Sequence, residues 1–192
     1  MIPRFAFAVI LPALLFASVP ASYAQKKKEI KKNKIRSESE SITEYSGGKE
    51  NTYKQKYIKF DTDGNILESI EYEKDGTVKS HESYRYDSFN NKTEEVVYLP
   101  NGSVQKKTLS KYNANKNKIE ETITDGEGKL TEKHFISYNA NDDKSVEVVT
   151  DGNNKLIRKD IYVYDGKGMK TEKKIYDGEG KVQTVKHYTY EY

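Results

Sequence analysis

The sequence predicts an all-β protein, an antiparallel meander of about eleven strands built from tandem β-hairpins. Two series of positions carry this prediction, because within each series the residues recur every 26 positions. The first series is Phe60, Tyr86, Tyr112, Tyr138, Tyr164 and Tyr190. The second series, offset by 12 positions, is Tyr72, Tyr98, Thr124, Thr150 and Tyr176. With 34% hydrophobic and 33% charged residues, the chain is too poor in core-forming side chains for one large core.

A four-residue turn follows every position of these two series except Tyr190. Asp or Asn usually opens the turn, and Gly, Asn or Asp usually closes it, where a type I turn with a bulge requires a positive φ. Lys116 fits a closing position poorly, and Asn115 or Asn117 is the alternative. Ten turns imply eleven strands, and an earlier, irregular hairpin is expected from Ser39 to Phe60, turning at residues 46–48.

Residue parity predicts which side chains share a face. If each turn's first residue pairs with the residue after its last, Asp61 lies opposite Asn65 and Tyr72 opposite Val78, and all even-numbered residues share one face. All twelve tyrosines beyond residue 60 are even-numbered. The same register opposes three charge pairs on the odd face: Glu95 with Lys107, Glu121 with Lys133, and Glu147 with Lys159. The resulting candidate binding face comprises Tyr72, Tyr86, Tyr98, Tyr112, Tyr138, Tyr164, Tyr176 and Tyr190.

Two shapes are compatible with this pattern. Neither face is cleanly apolar, which favours a single-layer or spiral sheet. The alternative is a barrel-like shell that rolls the tyrosines inward.

The N-terminal segment predicts export. Residues 1–24 resemble a signal peptide, with Arg4, an apolar run over residues 5–18 and small residues at Ser22 and Ala24, so cleavage is expected before Gln25. A membrane anchor is the alternative, but the run is shorter than the ~20 residues that a spanning helix needs. The mature protein is therefore expected in the bacterial periplasm or outside the cell, without a transmembrane segment.

A basic segment separates this leader from the repeat array at residues 39–192. Residues 25–36 hold seven basic residues and one acidic residue, a net charge of +6, and Arg4 adds +1. Because the whole chain carries +3, the other 156 residues carry −4. Residues 25–38 are interpreted as a solvated linker, and contact with an anionic lipid, polysaccharide or nucleic acid is the alternative. The acidic array itself disfavours nucleic acid as a partner.

The repeat unit resembles a known family. The stretches Tyr84-Arg-Tyr86-Asp87 and Tyr162-Val-Tyr164-Asp165-Gly-Lys-Gly168 look like the YD repeats of the rearrangement-hotspot (RHS) family and, more loosely, like variant MORN repeats. The resemblance covers roughly residues 53–192. It implies an extended β-sheet in a bacterial secreted or surface protein that serves as a scaffold, carrier or binding surface.

The sequence contains no residue set that is typical of catalysis. The chain has no Cys, and its three histidines, His81, His134 and His187, fall at non-equivalent repeat positions on alternating faces. The stretch from Asp61 to Asn65 lacks the glycine and acidic positions of a calcium loop. No enzyme activity, cofactor or metal is therefore predicted. The leading hypothesis is a binding scaffold for a protein or polysaccharide, and the alternative is a surface component that self-associates through the edge strand at residues 181–192.

Overall fold

The computed structural model describes residues 21–46 and 49–191 and confirms the antiparallel meander. Twelve strands form one sheet in sequence order. They are β1 (Ser37–Ser46), β2 (Lys49–Phe60), β3 (Ile66–Tyr72), β4 (Val78–Tyr86), β5 (Lys92–Tyr98), β6 (Val104–Tyr112), β7 (Lys118–Asp125), β8 (Leu130–Tyr138), β9 (Lys144–Asp151), β10 (Leu156–Tyr164), β11 (Lys170–Asp177) and β12 (Val182–His187). The eleven strands β2–β12 are those that the ten predicted turns imply. β1 and β2 form the predicted earlier hairpin, although residues 47 and 48 of its turn lie outside the described residues.

The sheet is open. Within the described residues, β1 pairs only with β2 and β12 pairs only with β11, so the first and last strands do not meet. The prediction of a single-layer sheet is therefore confirmed, and the alternative of a closed shell is wrong.

All ten predicted turns share one backbone geometry. The first turn residue donates its N–H to the carbonyl of the residue after the turn, as Asp61 does to Asn65 at 3.0 Å, and the fourth donates back to the first, as Gly64 does to Asp61 at 3.3 Å. The Asp61 carboxylate also accepts the N–H groups of Asp63 and Asn65, at 2.8 and 2.9 Å. The opening Asp or Asn thus satisfies donors inside the turn.

The closing turn residue adopts a positive φ in every one of these turns, between 62° and 85°. Lys116 itself does so, with φ 64°, so neither Asn115 nor Asn117 replaces it. The register of the turn therefore overrides the poor intrinsic preference of lysine for this conformation.

A β-bulge after every turn overturns the parity prediction. Phe60 pairs with Ile66, but the preceding residue, Lys59, pairs with Glu68, so Leu67 is an extra residue in β3. The expected pair of Tyr72 with Val78 is present, yet Glu71 then pairs with Ser80. Because the bulge adds one residue to the strand after each turn, directly paired residue numbers sum to an odd number along most of each strand.

The bulges divide the tyrosines between two faces. Tyr84 pairs with Glu95, whereas Tyr98 pairs with His81, and residues 81 and 84 of β4 point to opposite faces. The prediction of a single tyrosine face is therefore wrong. We call the face that carries Tyr84, Tyr112 and Tyr138 the groove face, and the face that carries Tyr98 the opposite face.

The predicted cross-strand charge pairs are shifted by one residue for the same reason. Glu95, Glu121 and Glu147 lie opposite Thr108, His134 and Asp160, respectively. Two of the three lysines instead contact the neighbouring glutamates on the opposite face: Lys107 lies 2.7 Å from Glu94, and Lys133 lies 3.7 Å from Glu120.

The segment interpreted as a linker forms part of a helix, α1 (Ala21–Lys32), which packs on the first hairpins. Ile30 is buried against Ile58 and Phe60, and Ile66 packs beside them. Lys31 forms an ion pair with Asp63 at 2.7 Å, and Lys27 donates a hydrogen bond to Asn65. Two basic residues of α1 thus contact the first turn of the array itself and the residue that follows it. Residues 1–20 lie outside the described residues, so signal-peptide cleavage stays a prediction.

Few side chains are buried elsewhere. Val149 and Asp160, at 2% and 1% exposure, are the least accessible of the described residues, and both lie on the groove face. Several large hydrophobic side chains of the opposite face, such as Leu109 and Phe135, stay exposed. The backbone ladder and the turns must therefore contribute much of the stability that a larger core supplies in other folds.

Three turns lie so close to the strand that precedes their own hairpin that they require glycine. A Cβ atom on Gly152 would lie 2.1 Å from the carbonyl oxygen of Leu130. Gly126 and Gly178, 26 residues away on either side, meet the carbonyls of Val104 and Leu156 in the same way, at 2.0 and 2.2 Å.

The substitution Gly152→Ala is therefore expected to destabilise the protein by about 2 kcal/mol or more, because the turn must move away from β8. Gly166→Ala is the matched control, since Gly166 holds the same turn position and a Cβ atom added there would have no neighbour within 4 Å. The control should change the free energy of unfolding by less than about 1 kcal/mol. Urea unfolding of both variants measures the difference, and equal effects would contradict this account of the close approach.

Candidate functional site

A groove of about 750 Å³ runs across strands β7–β12 on the groove face. Its lining combines cations with aromatic rings. The lysines are Lys118, Lys144, Lys170, Lys173 and Lys186, and the tyrosines are Tyr138, Tyr162, Tyr164 and Tyr188. Glu121, His134, Ile136 and Glu147 complete it. An open, polar groove with aromatic rings is suited to an extended ligand more than to an enclosed small molecule.

A tyrosine-to-lysine backbone bond positions one wall of the groove. The hydroxyl of Tyr138 donates to the carbonyl of Lys118 at 2.8 Å, and that of Tyr164 to the carbonyl of Lys144 at 2.9 Å. Tyr112 and Tyr190 make the equivalent bonds to Lys92 and Lys170, each at 2.8 Å. Each bond spans 20 residues and recurs every 26, so successive repeats place their tyrosine and lysine in the same relation.

The lysines that begin β7 and β9 each form an ion pair with a glutamate three residues later in the same strand. The Lys118 ammonium lies 2.5 Å from Glu121, and the Lys144 ammonium lies 2.7 Å from Glu147. Lys144 also lies 5.1 Å from the ring centre of Tyr162, within the range of a cation–π interaction.

His134 lies between two carboxylates in the groove. Its Nδ1 lies 2.9 Å from Glu147, and its Nε2 lies 3.1 Å from Glu132. Burial alone would lower the pKa of His134, but these two hydrogen bonds outweigh it and raise the pKa above its ordinary value of 6.5. A ring that donates from both nitrogens is the protonated imidazolium.

Glu147 is the most strongly held carboxylate of the groove. Its side chain is only 7% exposed, and burial alone would raise its pKa. The hydrogen bonds from His134 and Lys144 instead lower the pKa of Glu147 to about 2. Glu147 is therefore ionised at neutral pH and balances two cations.

Asp160, directly opposite Glu147, is almost completely buried. Neither of its carboxylate oxygens accepts a hydrogen bond from the described residues. The charge is balanced by ion pairs instead, with Lys173 at 2.8 Å and Arg158 at 3.3 Å. Removing Lys173 would leave this buried carboxylate with the more distant Arg158 alone among these two partners, which is destabilising.

Tyr162 remains a neutral phenol. Burial, followed by the nearby charges of Glu147 and Asp160, raises its pKa well above the ordinary value of 10. Its ring therefore provides an aromatic surface and a hydroxyl, without a negative charge, at neutral pH.

The predicted tyrosines are distributed as follows. Tyr138 and Tyr164 line the groove. Tyr86 and Tyr112 belong to the groove face by the alternation of β4 and β6, and Tyr190 follows β12. Tyr72, Tyr98 and Tyr176 lie on the opposite face, where the Tyr98 ring stacks on His81 with a centroid distance of 4.4 Å. Their role in binding stays a prediction.

The groove also contains residues that the sequence pattern did not indicate as a site. Tyr162 and Tyr188 line it together with the lysines and His134. These two tyrosines precede Tyr164 and Tyr190 of the first series by two residues. The histidines do lie on alternating faces: His134 faces the groove, whereas His81 and His187 contact Glu68 and Glu172 on the opposite face, at 2.9 and 3.6 Å. One signal in the sequence could have indicated this row of lysines: Lys92, Lys118, Lys144 and Lys170 recur every 26 residues.

Across residues 21–46 and 49–191, no group of three or more His, Cys, Asp or Glu side chains has the arrangement of a metal site. In the same part of the chain, no helix has the length and apolar character needed to span a membrane.

No protein-family model matches this chain, and no curated protein matches its sequence. Similar solved structures include a porin-like protein from Bacteroides uniformis ATCC 8492, which is 10% identical with a TM-score of 0.34 over 78% of this chain and 82% of that chain. TcdB2-TccC3 without its hypervariable C-terminal region is 12% identical with a TM-score of 0.31, over 79% of this chain but 10% of that chain.

A third similar structure is a mutant of TarM from S. aureus, 18% identical with a TM-score of 0.29 over 70% of this chain and 27% of that chain. All three TM-scores are low and the identities lie far below those of close relatives, so these likenesses carry no argument about function. The function must be argued from the groove itself.

The paired carboxylates of His134 predict a specific pH dependence of stability. The raised pKa of His134 means that its contribution is complete below pH 6.5 and is lost as the pH rises through the folded-state value. His134→Gln should therefore lower the free energy of unfolding more at about pH 5.5 than at about pH 9. Glu147, with its pKa of about 2, stays ionised throughout this range and does not add to the difference.

His187→Gln serves as the matched control, because the His187 side chain is 71% exposed. Its effect on unfolding should be small at both pH values. Urea titrations at the two pH values give the comparison, and a cost of His134→Gln that grows with pH would contradict the ion-pair assignment.

Proposed function

We propose that this chain is an exported, non-catalytic repeat protein of the YD-repeat type, which serves as a binding scaffold for a protein or polysaccharide. The observation that carries the proposal is the groove, in which tyrosines and lysines recur on one face of an open sheet. The apolar leader that precedes Gln25 supports export. Cleavage before Gln25 would leave residues 25–32 of α1, including the buried Ile30, on the mature protein.

The geometry around His134 supports a structural role over a catalytic one. A general base needs an unprotonated nitrogen within reach of its substrate. Both ring nitrogens of His134 are already engaged, at 2.9 Å from Glu147 and 3.1 Å from Glu132. The cluster instead neutralises charges that the sheet brings together on the groove face.

The proposal predicts that substitutions in the groove abolish binding and that equivalent substitutions on the opposite face do not. The test protein is recovered from the periplasmic or culture fraction, where N-terminal sequencing should begin at Gln25. It is immobilised and probed with purified polysaccharides and with envelope extract. Tyr162→Ser with Tyr188→Ser should lose the retained partner, because these rings line the groove.

The matched control is Tyr72→Ser with Tyr176→Ser, which removes two rings from the opposite face. Melting temperatures of both double variants separate loss of binding from loss of folding. Equal loss of binding by two folded double variants, or retention by the groove variant, would refute the groove as the binding surface.

Self-association is the second candidate function, and the open edge of β12 favours it. Every side chain of β12 is exposed, including Val182 at 46% and Val185 at 39%, and an unpaired strand edge can accept another strand. The expected result is a concentration-dependent mass in light scattering that Val185→Lys reduces. A strictly monomeric wild-type protein would eliminate this candidate.

A further inference from the structure

The charge pattern of the groove changes at its C-terminal end. In three successive repeats, a lysine that begins a short strand contacts a glutamate three residues later: Lys92 with Glu95, Lys118 with Glu121, and Lys144 with Glu147. In the next repeat the equivalent lysine is Lys170, but the residue three positions later is Lys173. The last repeat thus replaces an acidic partner with a second cation.

Lys173 also lies directly opposite Lys186 of β12. Like charges in directly opposed positions of two strands are destabilising. The nearest compensation is Asp160, which lies 2.8 Å from Lys173 but is shared with Arg158. No carboxylate of the described residues forms an ion pair with Lys170 or Lys186.

The preceding strands of the groove show how such a pair is normally balanced. Glu147 and Asp160 are also directly opposed like charges, but cations surround them. His134 and Lys144 contact Glu147, and Lys173 contacts Asp160. The acidic pair is therefore compensated within the protein, whereas the basic pair keeps an excess of positive charge that faces the groove.

The surroundings of the basic pair suit a chain of sugars. The Lys170 ammonium lies 4.3 Å from the ring centre of Tyr188, so a cation and an aromatic ring are adjacent, and sugar rings pack on aromatic faces. Six strands contribute to the groove, which gives it a length of about 24 Å at the usual spacing of about 4.8 Å between strands. This length accommodates a polymer more readily than a single small anion.

We propose that the C-terminal end of the groove binds an acidic polysaccharide, with Lys170 and Lys186 contacting its carboxylate or sulfate groups and Tyr188 packing on a sugar ring. The proposal rests on the scaffold function proposed above and specifies the class of its partner. Lys173 contributes to the positive potential but also holds Asp160, so it is not a suitable position for a test.

The experiment measures binding of the purified protein to dextran sulfate, polygalacturonate and neutral dextran of similar length. The wild-type protein should bind one or both acidic polymers, more weakly as salt is added, and should not bind neutral dextran. Lys170→Glu with Lys186→Glu should reduce the affinity by about tenfold or more, equivalent to about 1.4 kcal/mol.

The matched control is Lys79→Glu with Lys159→Glu, which makes the same change in net charge at two exposed lysines outside the groove. This control should retain the wild-type affinity within about twofold. Equal losses by both folded double variants would show a general charge effect and overturn the site, as would equally tight binding of single-stranded DNA.

Failure of this inference can be distinguished from failure of the scaffold function. If neither acidic polymer binds but a protein or neutral polysaccharide is retained through Tyr162 and Tyr188, the acidic-polysaccharide site is wrong and the scaffold function stands. If no partner of any class is retained through the groove, both proposals fail.

Discussion

The geometry of the turn is the constraint on which the rest of this structure depends. Each turn closes on a residue with positive φ and is followed by one bulged residue, and the same arrangement recurs in the ten hairpins from β2 to β12. The spacing of the turns sets the length of each strand, whereas the bulge decides which side chains share a face. Together they place Val149 and Asp160 under the groove and leave Leu109 and Phe135 exposed.

The groove depends on cooperation between side chain and backbone. The tyrosine hydroxyls that bond to lysine carbonyls hold the ring beside the start of the preceding short strand. The same lysines direct their ammonium groups toward glutamates or aromatic rings. The tyrosine bonds join adjacent strands, whereas each lysine–glutamate pair lies within one strand. The electrostatic character of the groove can therefore change from one repeat to the next without changing its shape. The shift from Glu147 to Lys173 is such a change.

Much of the architecture was predictable because turn residues have strong local preferences. The register of every turn, the pair of Tyr72 with Val78 and the strand count followed from the positions of Asp, Asn and Gly. The faces were not predictable by parity, because a bulge residue has no strong preference of its own. A weak signal of the bulges was the threonine at three of the bulged positions, Thr93, Thr131 and Thr171. Their hydroxyls donate hydrogen bonds to carbonyls of the neighbouring strand. The helix α1 was missed because Ile30, which is buried against the sheet, follows a run of lysines.

The bulges also determine how such an array can change in length. Each half-repeat exchanges the faces of odd-numbered and even-numbered residues, and a whole repeat of 26 residues contains two bulges and so restores them. Tandem duplication or deletion of a complete unit would therefore preserve the orientation of every downstream side chain. An insertion of half a unit would keep the strands paired but would invert the surface beyond it. The whole unit is thus the smallest genetic step that conserves the surface chemistry.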